Sequence, residues 1–159
     1  RTAWLDSGMR TLPLAATYRY NLVNHEEGID DVETNTPAAI NAYITSSEID
    51  LQGGDKFGFV WRVLPDMTFE GSTIDAPNAT MTLNPLQNSG SGYNSPLSEG
   101  GNSAGAVTRS ATAPVEAYTG QVNIRVRGRQ MSMKIESTDT GVQWQLGHPR
   151  IDVRADGGR

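Results

Sequence analysis

The chain has 159 residues, a formal net charge of −5 and no cysteine. That length suits one domain and is enough to bury a core without a metal or disulfide staple. Without cysteine, thiolate nucleophiles, disulfide exchange and sulfur-ligated metals are excluded, and no apolar run approaches the roughly 18 residues of a membrane helix.

In chain order, the opening "RTAWLDSG" has neither a Met nor a charged-then-apolar leader. It is expected to lie inside a longer polypeptide. No amphipathic helix pattern follows, and apolar residues recur mostly at period two among Val, Ile, Thr, Tyr and Trp. "ATYRYNLV" (16–23) predicts a strand with Tyr18, Tyr20 and Leu22 on one face. "AAINAYITSSEIDL" (38–51), "KFGFVWRVLP" (56–65, ending at Pro65) and "ATMTLNPL" (79–86) predict three more. Turns are expected at "NHEEGIDD", "LQGGDK" and "PDMTFEGS". Residues 87–113, rich in Gly, Ser, Asn and Ala, predict a long loop with Tyr93 and Leu97 as its anchors.

The last third alternates most clearly. Val122, Ile124 and Val126 are even, Met131, Met133 and Ile135 odd, Val142, Trp144 and Leu146 even, Ile151 and Val153 odd. A strand of period two cannot bury both parities on one face. The expected solution near Gly128 is a β-bulge, because no Asn-Gly or Asp-Gly hairpin signal is present there. "STDTG" (137–141) predicts a hairpin loop. The fold class is therefore all-β: seven or more antiparallel strands in a β-sandwich or distorted barrel, with the long Gly/Ser-rich loop, over residues 1–159 as a single domain.

The residues offer little chemistry. His25 and His148 lack the partner spacing of a zinc site, and His148 beside Pro149 reads as a turn residue bonded to backbone. Between Glu26 and Glu33 stand five acids (Glu26, Glu27, Asp30, Asp31, Glu33) without the alternation of a calcium loop, which reads as a solvated turn or a site for a cation or Arg-rich partner. Asp50, Asp66, Asp152 and Asp156 flank strands as turn formers or arginine partners. No nucleophile motif or carboxylate pair in a cleft points to an enzyme, a metal or a cofactor. Trp61 and Trp144 fall in apolar phases and are expected in the core, with Trp4 over the end of the barrel.

Charge is divided along the chain. Residues 1–120 carry 6 basic and 14 acidic side chains, and residues 121–159 carry 7 basic and 4 acidic. Arg125 and Arg127 share a strand face, and the phase change leaves the direction of Arg129 open. Such arginines serve either carboxylates across strands or subunits, or phosphates, where two or three would make a weak site.

Three segments carry a resemblance. "RTAWLDSG", "INAYITSSEIDLQGGDKFGFVWRVLPDMTFEGS" and "VNIRVRGRQMSMKIESTDTGVQWQLGHPRIDVRADGGR" resemble the last part of tail nozzle or hub proteins (tail tubular or DNA-stabilising proteins) of short-tailed bacteriophages. The closing segment is the most specific. The resemblance implies a virion tail location and a ring subunit, usually in six copies around the DNA exit channel. It also implies adjacent tail or portal/adaptor proteins as partners and transient contact with phage DNA during genome ejection. It places Arg125, Arg127, Arg129, Arg150, Asp152 and Arg154 in the signature, as residues facing a neighbouring subunit or the channel. It carries over no catalytic residue. Stretch 87–113 is longer than that pattern. A receptor- or carbohydrate-binding module, using Trp4, Trp61 or Tyr93, and a DNA-contacting domain are the alternatives.

Overall fold

The computed structural model describes residues 3–6, 8–34, 36–86 and 110–157. The predicted loop at 87–113 lies outside them except for its last residues, and Tyr93 and Leu97 fall outside too. Ala111–Ala113 belong to a strand, contrary to expectation. Their alternation of Ala and Thr is too small-sided to register as a strand from sequence, yet small side chains suit a position beside larger neighbours.

No helix occurs among the described residues. The larger sheet has the order β4 (Ala42–Thr45), β11 (Gln130–Ser137), β8 (Asn78–Leu86), β9 (Ala111–Glu116), with β5 (Ile49–Asp50) also pairing with β11. The second sheet has the order β10 (Val122–Gly128), β6 (Gly58–Leu64), β13 (Arg150–Ala155). All pairings are antiparallel. The inner faces share one core, in which Met81, Leu83, Val115, Met131 and Ile135 of the larger sheet meet Val60, Val63 and Val126 of the smaller. This is the sandwich rather than the barrel, since neither sheet closes on itself. Its central rows are set by register: Met133 lies opposite Leu83, and Ile135 opposite Met81.

The phase change is resolved by a change of sheet. The expected bulge at Gly128 does not occur. There β10 ends in one sheet and β11 begins in the other, so even positions before the switch and odd positions after it both point inward. The Arg129 peptide between them is pinned from both sides: its N–H donates to Leu86 O (2.9 Å) and its C=O accepts from Leu51 N–H (2.7 Å). A Cβ on Gly128 would stand 2.9 Å from the carbonyl oxygens of Gln130 and Leu86, so the close approach requires glycine.

Elsewhere the strands are shorter than expected. "ATYRYNLV" is split into the ends of β2 (Leu14–Ala16) and β3 (Leu22–Asn24), with Tyr18 and Tyr20 in the turn between them. Thr17 makes that turn: its Oγ1 accepts from Arg19 N–H and Asn21 N–H, and Tyr20 takes a φ of 63°. A hydroxyl-centred turn thus overrides the alternation of the tyrosines. Residues 38–51 divide into β4 and β5 around Ser46, whose Oγ accepts from Met133 N–H. "STDTG" turns the chain but joins no hairpin. β12 (Gln145–Leu146) pairs instead with β7 (Met67–Thr68), which lies inside the predicted turn "PDMTFEGS". Among the described residues the third sheet, β1 (Ala3–Leu5), β2 and β3, pairs only within itself.

Two substitutions probe this core. Leu83→Ala is expected to destabilise the chain by about 2–5 kcal/mol in urea unfolding. Ser132 is fully buried, and among the described residues its hydroxyl has no partner, so Ser132→Ala is expected to be neutral or to stabilise by up to about 1 kcal/mol. A large loss on Ser132→Ala would show that the hydroxyl is satisfied.

Candidate functional site

The outer face of the sheet β10-β6-β13 collects most of the predicted residues. Its inner positions are Val122, Val126, Val60, Val63, Ile151 and Val153. Alternation therefore turns Arg125 and Arg127 of β10 outward, together with Arg150, Asp152 and Arg154 of β13. Two segments about 25 residues apart in sequence, each read separately as arginine-bearing, meet here on either side of β6.

The strand between them departs from alternation. Val60 and Val63 are both fully buried although three positions apart, which one uninterrupted strand does not allow. The register shows the cause. Asn123 and Val126 oppose Arg62 and Val60, which leaves Ile124 and Arg125 against Trp61 alone. On the other side Asp152 and Val153 follow each other opposite Arg62 and Val60, so Trp61 has no partner on β13. The bulge displaces Trp61 from the core, where it was expected, to a half-buried place on the outer face.

There Trp61 lies between two guanidinium groups, Arg62 at 4.6 Å and Arg154 at 4.8 Å from its ring centroid. Next to it Phe59 sits in register between Arg127 and Arg154. Just before β6, buried Phe57 holds Arg127 at 3.9 Å and Arg129 at 4.9 Å from its ring. Phe57 is fixed by extending the ladder with β13: its N–H donates to Gly157 O, and Asp156 N–H donates to Phe57 O. Each cation–π contact at such a site contributes about 0.5–1 kcal/mol.

Two carboxylates answer this charge. Asp152 bonds Arg62 across the β6–β13 pair, and Asp156 bonds Arg127. Their expected role as arginine partners holds, and Arg127 is indeed paired within the chain. Arg125, Arg150 and Arg154 form no ion pair among the described residues. The strands of this sheet carry five arginines and one carboxylate. Sequence reading missed Arg62, Phe57 and Phe59; the spacing of two valines by three in "FVWRV" was the available signal for the bulge that brings Trp61 outward.

The other candidates serve local structure. Asp66 Oδ2 accepts from the main-chain N–H of His148, so the turn there is held by a carboxylate on the His148 backbone. In the acidic turn, Asp30 accepts from Gly141 N–H and ties the turn to the loop after β11. Asp31 accepts from Glu33 N–H, and Glu27 from the Asn24 amide. Among the described residues no three His, Asp or Glu side chains converge to hold a metal. Trp144 packs against the core and donates its indole N–H to Ser137 Oγ. Trp4 is 55 % exposed on β1, tilted against His25 at 4.5 Å. A groove of about 530 Å3 beside Ile40, Tyr43 and Trp144 contains no carboxylate, imidazole or amine.

Compared with known proteins, the chain matches no family model and no curated protein. No helix among the described residues is long and apolar enough to cross a membrane.

The two ion pairs are half-exposed, and pairs of this kind contribute about 0.2–1 kcal/mol. A double-mutant cycle on Arg62→Met and Asp152→Asn, read by thermal unfolding, is expected to give a coupling energy in that range. A coupling of several kcal/mol would mean that the pair is structural rather than part of an adaptable surface.

Proposed function

We propose that the chain is an assembly module of a bacteriophage tail, part of a nozzle or hub ring along the DNA exit conduit, and that its work is mechanical. The observation that carries this reading is the sheet β1-β2-β3. It has three residues per strand, pairs with no strand of the sandwich and leaves Leu5, Leu22 and Tyr20 exposed, Tyr20 at 98 %. Strands this short give the sheet little stability of their own, and its exposed apolar face would gain by packing on another surface. Exposed apolar groups gathered on one element mark an interaction site. The resemblance of the closing segment to tail nozzle and hub proteins supplies the kind of assembly. That segment contributes β10, β11 and β13, the strands that build both sheets of the sandwich.

The reading also accounts for an acidic chain with a basic face. A conduit lined throughout by phosphate-binding side chains would retain the genome it must release. The charged face is better used between subunits.

Electron microscopy of the purified protein, with native mass measurement, tests the reading. Closed rings of identical copies are the expected result. A stable monomer that retains glycans would overturn it in favour of a receptor-binding module. Salt-sensitive retention of duplex DNA by a monomer would favour the DNA-contacting alternative.

A further inference from the structure

Resting on the assembly reading, the partner of the small sheet can be specified. In β1-β2-β3 the register sets Leu5 opposite Leu14 and Ala16 opposite Leu22, so these four share one face. Leu5 and Leu22 on that face are exposed. Around it the described residues 3–34 carry six acids (Asp6, Glu26, Glu27, Asp30, Asp31, Glu33) against two arginines. Leu22 and five of these acids, Glu26, Glu27, Asp30, Asp31 and Glu33, line one groove, so the apolar face has acidic neighbours on its β3 side.

We propose that this face docks on the outer face of β10-β6-β13 in a second copy of the chain. The receiving face has the complementary composition. Phe59, Trp61 and Leu64 provide half-buried apolar surface. Arg125, Arg150 and Arg154 provide charge that no described carboxylate of the same chain pairs with. Charge complementarity of this kind fixes which patches meet and in what orientation. Arginines over aromatic rings accept both an apolar neighbour, along their stems and rings, and carboxylates at the rim.

Within one chain the two faces do not meet. No strand of the small sheet pairs with the sandwich, and no ion pair joins them among the described residues. Donor and acceptor are different patches of the same molecule, so docking is heterologous. Head-to-tail contacts of this type close into rings when the rotation per copy allows. Asp30, bonded to Gly141 N–H, fixes where the acidic segment leaves the sandwich.

Charge reversal tests the docking. Arg125→Glu with Arg150→Glu changes two exposed residues that make no ion pair among the described residues; Glu26→Arg with Glu27→Arg changes two exposed residues of the acidic segment. Association of the 159-residue chain is read by sedimentation in low and high salt, and far-UV circular dichroism checks that each variant is folded. Each pair of reversals is expected to weaken association by about tenfold or more in low salt, and mixing the two variants should restore it, because each supplies the face the other has lost and the two reversed faces are again opposite in charge. If the wild-type chain associates but both variants match it, or the mixture recovers nothing, the docking is wrong while the assembly reading stands. If the wild-type chain stays monomeric at every concentration, the assembly reading falls and the docking with it. If the arginine variant instead loses binding of a short DNA duplex while its association is unchanged, the face belongs to nucleic acid and the docking is overturned.

Discussion

The structure depends on one crossing point, where the chain leaves the sheet of β10 and enters the sheet of β11. Gly128 passes between carbonyl oxygens that a side chain would strike, and the next peptide is held by Leu86 on one side and Leu51 on the other. Because the crossing is made in a single residue, Arg129, the two strands can use opposite parities and still point into one core. A longer connection would have freed the sheets from each other. An uninterrupted strand would have sent half of its apolar residues to solvent.

The arginine and aromatic face follows from that geometry. Once β10 is anchored at its end by the crossing, its odd positions face outward beside β6. The bulge at Trp61 then lets β6 bury Val60 and Val63 while presenting an indole on the outside. Arginines from three strands lie over two aromatic rings, and two carboxylates hold two of them in place. The face is therefore ordered without being neutral. The small sheet of β1, β2 and β3 differs: Leu5 and Leu22 on one of its faces are exposed, and the described residues 3–34 that include it are mostly acidic in charge.

The sequence made the fold class legible because alternation survives in β8, β10 and β11, where one side of each strand is buried. It predicted the outward arginines for the same reason. Misreadings came where a local interaction defeated periodicity. The Thr17 hydroxyl made a turn out of "TYRYN". The bulge moved Trp61 from an apolar phase to the surface. The switch at Gly128 looked like a bulge because both devices change parity, and only the identity of the pairing partners, β6 before it and β8 after it, separates them. Partners distant in sequence, such as Arg62 with Asp152, leave no trace in a local pattern. The grouping of Arg125 with Arg150 on one face became visible only through the strand between them.

The claim at the centre is that the small sheet obtains its cover from another copy of the chain. Amide hydrogen exchange across a dilution series measures this directly, since local opening reports what each element packs against. The backbone amides of β2 and β3 should exchange slowly when the chain is concentrated and associated, and fast when it is dilute, while those of β8 and β11 stay protected throughout. Equal protection of β2 and β3 in the dilute and the associated protein would contradict the account.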